Sequence, residues 1–167
     1  MLLLKLLRWA WGAVTAPPRL PGPGSLPAYL RVRSWTGEAL LEPRLRLLVR
    51  QLAAELSGCR WCIEQGRHLW RQRFLPPAEL AALRRYAASP LFSPRERAAL
   101  AFTEALCDYA AAAGGLPEAV LAELRRHCSE AEVAALTQLA AAEHFYDPAT
   151  GALGVDAGVE GVARRPG

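Results

Sequence analysis

The chain has 167 residues and a mass of 18.2 kDa, long enough to bury on the order of 70% of the surface its unfolded form exposes and to stand as one domain without a staple. With 52% hydrophobic and 22% charged residues it is neither disordered nor collagen-like nor low in complexity. The net charge of +4 divides into +8 over residues 1–73 and −4 over residues 74–167, but the arginines are scattered along amphipathic segments, with no block of five and no recognition-helix pattern, so no nucleic acid is expected as a partner. Ile63 is the only isoleucine, there are eight valines, and asparagine is absent. Residues that fit a pleated sheet are therefore scarce, the Asn-Gly hairpin signal is missing, and the composition predicts an all-α fold.

At the N-terminus Leu2, Leu3, Leu6, Trp9 and Trp11 fit a short amphipathic helix. Lys5 and Arg8 interrupt its apolar run too early for a secretory core, and no segment is long enough to span a membrane. Its large apolar side chains are expected to pack on a neighbouring subunit rather than on a membrane surface. Pro17-Pro18 through Gly24 reads as an extended arm. Residues 1–24 are thus a helix and arm, and residues 25–167 a single all-helical domain. Glu42 to Leu56 places Leu45, Leu48, Val49, Leu52 and Leu56 at helical spacing before Ser57-Gly58 stops it. A second helix is expected from about Cys59 to Phe74, ended by Pro76 and Pro77. A third opens at Pro77, carries Leu80, Leu83 and Tyr86, and stops before Ser89-Pro90. Ser93 and Glu96 form a capping box that starts a long helix running to Gly114-Gly115. Pro117 begins a short helix to about His127. Ser129 and Glu132 repeat the capping box and open the last helix, through Leu136 and Leu139 to Phe145, with a glycine-bearing tail expected after Asp147-Pro148.

Ser57-Gly58-Cys59-Arg60-Trp61-Cys62 carries the chemistry. Gly58 ends one helix and the two cysteines open the next, where unsatisfied backbone N–H groups and the helix dipole favour a thiolate; Arg60 adds positive charge. A three-residue offset puts both sulfurs on one helix face, close enough for a disulfide. On the dipole argument Cys59, nearer the helix start, is the more ionised thiol. Zinc requires a second close ligand pair, which Cys107, His127 and Cys128 do not make, and haem attachment requires a histidine where Ile63 stands, so neither metal nor cofactor is expected. Two small core residues beside a helix end is the remaining alternative. Four cysteines without a secretion signal point to a reducing, cytoplasmic setting, and Cys107 and Cys128 read as structural.

The stretch from Leu45 to Cys62, the block Leu91-Phe-Ser-Pro-Arg-Glu-Arg-Ala-Ala-Leu100, and Ser129 to Glu143 together resemble the carboxymuconolactone decarboxylase and alkylhydroperoxidase D-like superfamily. The resemblance implies an all-helical bundle assembling into trimers or hexamers. In redox-active members it implies a dithiol that reduces peroxides and is re-reduced by a thiol partner. Such members carry a glutamate twelve residues before the first cysteine and a histidine four after the second, positions held here by Leu47 and Gly66. Neither can move a proton, so slower peroxide turnover is expected. His68 lies about 240° around the helix from Cys62 and cannot replace the histidine. Glu64 and His144 are the groups named for proton transfer, with Glu55 and Glu143 further possibilities, while Trp61 and Trp70 are assigned to packing. The expected function is thus a peroxidase-like or thiol-disulfide oxidoreductase built on Cys59 and Cys62, acting on a peroxide or disulfide. A non-catalytic structural member and a decarboxylase-type lyase are the alternatives.

Overall fold

The computed structural model describes residues 40–73, 75–112 and 115–152, so the expected N-terminal helix and arm lie outside the described residues. Within them the secondary structure is helical throughout: α1 (Pro43–Ser57), α2 (Arg60–Gln72), α3 (Pro77–Ala82), a 3-10 helix (Leu83–Ala88), α4 (Pro94–Ala112), α5 (Glu118–Arg125) and α6 (Glu130–Ala152). The all-α expectation is met. Two elements differ from the sequence reading. The third helix passes after Ala82 into the 3-10 helix, inside which Arg85, with a φ of −121° and a ψ of 27°, leaves the helical region, so that Leu83 and Tyr86 are delivered to the core by a tighter turn. The last helix continues through Pro148 to Ala152, although proline there forfeits the N–H that would bond the His144 carbonyl.

α1 is the organising element, packing against α2, α4 and α6. Its apolar residues serve two cores at once. Leu45 and Val49 join Phe102 of α4 and Leu136 and Leu139 of α6, whereas Leu48 and Leu52 join Trp70 of α2, Leu83, Tyr86, Phe92 and Leu100. A helix buried on several sides has little solvent face, so its polar residues must find partners inside the fold. At its start Arg44 does so, donating from Nε to Glu96 and from Nη1 to Glu79, each at 2.6 Å, and thereby tying α1 to α4 and α3.

Both capping boxes form. The Ser93 N–H donates to Glu96 at 2.8 Å and the Glu96 N–H returns to the Ser93 hydroxyl at 3.2 Å; Ser129 and Glu132 make the same exchange at 2.8 and 3.3 Å. Burial opposes the charge on Glu96, but the Ser93 N–H and the Arg44 guanidinium outweigh it and hold the carboxyl below the ordinary range. For Glu132 the backbone N–H and hydroxyl of Ser129, assisted by Arg95, have the same result. Tyr86 donates its hydroxyl to Glu104 at 2.5 Å, and burial with that carboxylate pushes the phenol far above its usual range.

Because the folded carboxyls of Glu96 and Glu132 titrate lower than in the unfolded chain, the stability they contribute is present above the ordinary glutamate range near ~4.3 and is lost as pH falls through their folded values. Urea midpoints should therefore drop between neutral and acidic pH, and Glu96→Gln and Glu132→Gln should each flatten part of that drop. Ser93→Ala or Ser129→Ala should cost about 1 kcal/mol, and Leu136→Ala, in the dense core, about 2–5 kcal/mol, all measurable by the same unfolding curves.

Candidate functional site

The dithiol is made by the junction of α1 and α2. Gly58 takes a φ of 78° and a ψ of 10°, the left-handed region that glycine enters without steric cost, and its N–H donates to the Ala54 carbonyl at 3.0 Å. The chain then turns directly into α2 with Cys59 as its N-cap, whose Sγ accepts the Cys62 N–H at 3.3 Å. A disulfide joins Cys59 to Cys62 across a Cα separation of 5.3 Å. Sulfur thus takes the place where a serine or aspartate oxygen usually caps a helix, and an N–H aimed at it favours the anion once the bond opens.

Cys59 is 1% and Cys62 5% exposed, in a small cluster with Ala54 of α1 and Ala142 of α6, edged by half-buried Trp61 and Ile63. A pocket adjoins it, with Cys62 but not Cys59 in its wall, together with Leu47, Arg50, Trp61, Gly66 and Glu143 among others. Its free space is on the order of one water molecule. Arg50 of α1 donates from Nε to Glu143 Oε1 of α6 at 2.7 Å, with the two side chains only 12% and 5% exposed. A nearly buried ion pair therefore shares the pocket wall with the outer cysteine.

The expected proton carriers are placed differently. Glu64 accepts from Arg67 at 2.8 Å with its side chain 37% exposed, and it does not line the pocket. His144 is half-buried, its Nδ1 has no partner, and it too is absent from the pocket wall. Glu55 accepts the Gln51 amide at 2.9 Å. Half-buried His68 has an unpartnered Nε2. Trp70 is fully buried, donating its indole N–H to the Pro76 carbonyl at 3.2 Å, as a packing residue would. Trp61 packs against the dithiol and also walls the pocket. Cys107 and Cys128 are free thiols; burial pushes Cys107 up to about 11, and it raises Cys128 too, against the pull of Arg95. Among the described residues no group of three His, Cys, Asp or Glu could hold a metal ion.

Two buried polar residues of α1, Arg50 and Gln51, carry no motif that marks them in the sequence. The available signal was the apolar or small residue at nearly every other position from Leu45 to Leu56, which leaves α1 no solvent face wide enough for both. Gln51 is 1% exposed, its Oε1 has no hydrogen-bond partner, and it lies against Gly66 so closely that a Cβ there would collide with it. The absence of a side chain at position 66 is what admits the Gln51 amide.

Gly66→Ala should therefore cost about 1–3 kcal/mol by overpacking, and most of that should vanish in a Gln51→Ala background, because Gln51 supplies every close contact; a double-mutant cycle of urea midpoints measures the coupling. Arg50→Met, which removes the cation beside a buried carboxylate, should cost about 3–5 kcal/mol, whereas Arg50→Met with Glu143→Leu should recover much of it.

A sequence profile of the carboxymuconolactone decarboxylase family matches residues 26–105, a stretch that contains the dithiol and ends within α4. No functionally curated protein matches the chain. Among solved structures, a protein of unknown function from Agrobacterium tumefaciens, named as a candidate antioxidant defence protein AhpD, superposes with a TM-score of 0.74 at 22% identity, covering 83% of this chain and 94% of its own. The debrominase Bmp8, as a cysteine-to-alanine variant in complex with 2,3,4-tribromopyrrole, gives 0.74 at 17% identity over 93% of this chain and 84% of its own. Its apo form gives 0.67 at 19% identity over 80% and 71%. These likenesses establish a shared fold, and the profile match makes residues 26–105 similar to the carboxymuconolactone decarboxylase family.

Proposed function

We propose that this protein is a dithiol oxidoreductase that reduces a small peroxide, or a disulfide, through Cys59 and Cys62. The observation that carries the reading is the pocket: of the two bonded cysteines at the start of α2, Cys62 opens onto it beside Arg50 and Glu143. Cys62 is accordingly the sulfur that meets substrate and Cys59 the one that closes the disulfide. The helix dipole favours ionisation of Cys59, but a thiolate that no substrate reaches does not attack; access assigns the roles. The reduced Cys62 sulfur attacks the outer peroxide oxygen, an S–O bond forms as the O–O bond breaks, and an alcohol or water departs. The sulfenic acid then loses water to the Cys59 thiol as the disulfide forms, and an external thiol donor returns the pair to the dithiol.

The neighbour named as an antioxidant defence candidate supports this reading. The debrominase supports halogenated aromatic rings as substrates on its own fold, but a pocket with room for about one water molecule suits a peroxide better than a ring. The protein is proposed to work in the cytoplasm, where thiol donors are at hand, and no helix among the described residues is long and apolar enough to cross a membrane. The proposed assembly is a trimer or hexamer, with residues 1–24 contributing its contacts.

Titration of free thiols decides between catalysis and a structural role. The reduced chain carries four cysteines. Mild peroxide should remove two of those thiols as a Cys59–Cys62 disulfide, Cys62→Ser should abolish that, and Cys107 and Cys128 should remain. Retention of all four thiols would leave the structural or lyase readings standing. Alkylation of single-cysteine variants should run faster at Cys62 than at Cys59. Light scattering should give a mass several times that of the 18.2 kDa chain, and removing residues 1–16 should lower it.

A further inference from the structure

The reaction above leaves one demand unmet: the thiol must lose a proton to become a nucleophile, and the departing oxygen must gain one. We propose that Glu143 carries that proton for Cys62, with Arg50 as the positioning residue that holds the carboxylate in place. The proposal rests on the reading of Cys59 and Cys62 as a redox dithiol. Glu143 is the one carboxylate in the pocket wall among the described residues, and Cys62 is the sulfur in the same wall. It lies on α6, 93 residues beyond Arg50 in sequence, and is held at the site by Arg50 of α1, which donates to its Oε1 at 2.7 Å. The alternatives are less well placed. Glu64 is turned to Arg67 at the surface, Glu55 is engaged with Gln51, and His144, one residue on from Glu143, is rotated by about 100° around the helix.

The pair is suited to both halves of the task. A carboxylate alone in so dry a place would rest protonated and could accept nothing, but the fixed positive charge of a guanidinium keeps it ionised. In the reduced protein Glu143 takes the Cys62 proton, leaving a thiolate and a carboxylic acid beside the same guanidinium. The thiolate attacks the outer peroxide oxygen, the O–O bond breaks, and the leaving oxygen takes the proton from Glu143. The products are a sulfenic acid, an alcohol or water, and a carboxylate restored to its starting state. The two electrons come from sulfur. The cluster keeps the same net charge before and after, which a buried site favours. Nothing at Leu47 or Gly66 takes part.

Leaving groups separate this role from a structural one. Peroxide departs as an oxygen anion that needs a proton, whereas iodoacetamide loses iodide, which needs none. Full-length reduced protein is mixed with hydrogen peroxide, and separately with iodoacetamide at about pH 10, where ordinary thiols near ~8.5 are ionised, each reaction being read at Cys62 by peptide mass. Glu143→Gln should slow oxidation by peroxide by about 10²-fold or more while changing alkylation by less than about threefold, and Glu143→Asp should restore part of the peroxide rate. Equal loss in both reactions, or no loss in either, overturns the proposal. If Glu143→Gln loses its helical circular dichroism, Arg50→Lys carries the test: a fall in the peroxide-to-alkylation ratio supports the role, and an unchanged ratio overturns it. Failure of the unmodified protein to form the Cys59–Cys62 disulfide with peroxide is a separate result, which removes the redox reading and this proposal with it.

Discussion

The structure depends on the turn at Gly58. Two residues separate α1 from α2, and only a left-handed residue between them lets α1 close its last carbonyls while the next residue caps a new helix. A side chain at position 58 meets no neighbour within 4 Å, so the glycine is required by its φ of 78° and not by crowding. Once that angle is set, Cys59 must stand at the N-cap and Cys62 one turn on, with both sulfurs directed back toward α1 and α6. The small side chains of Ala54 and Ala142 then leave room for the two sulfurs beside the helix-helix contact.

The ion pair between Arg50 and Glu143 is the second constraint, and its energetics run against its presence. Two leucine-sized residues at those positions would fill the space between α1 and α6 at no desolvation cost, and buried pairs of this kind are often no more stable than apolar replacements. A fold stabilised by three apolar clusters has no need of it for stability. Its place in the wall of the pocket that Cys62 enters gives it a reason to exist that packing does not supply.

Local features were legible in the sequence and distant ones were not. Both capping boxes involve residues three apart, and Ser93 with Glu96 and Ser129 with Glu132 form as their spacing implies. The dithiol was equally plain, because Cys59 and Cys62 share a helix turn and Gly58 announces the break before them. The change from α to 3-10 helix after Ala82 brings Leu83 and Tyr86 into the cluster with Trp70 and Phe92, which no local pattern encodes. The continuation of α6 past Pro148 likewise overrode a local stop signal. The carboxylate that shares the pocket wall with Cys62 was harder still. Glu64 is the nearest acid in sequence and is turned to Arg67, whereas Glu143, one of several candidates in the sequence, comes from another helix and is singled out only when its contact with Arg50 is seen. Periodicity places side chains on faces, but it does not say which faces meet.

Four cysteines in one chain fall into two chemical kinds, and the difference follows from where each backbone N–H points. Cys107 lies within α4, where the amides are committed to helical hydrogen bonds, and desolvation, reinforced by the nearby carboxylates of Asp108 and Glu104, raises its pKa to about 11. Cys128 has Arg95 beside it, yet burial still prevails and raises its pKa. Cys59 and Cys62 are more deeply buried than either, and burial by itself would make them the least reactive of the four. What distinguishes them is a helix start: the N–H of Cys62 is not consumed by the helix and is aimed at the Cys59 sulfur. A thiolate formed there exchanges water for a fixed backbone dipole instead of for hydrocarbon. The depth that raises the pKa of Cys107 and Cys128 therefore acts differently at Cys59, because a weak dipole in a dry site acts on a sulfur with less screening than the same dipole would have in water.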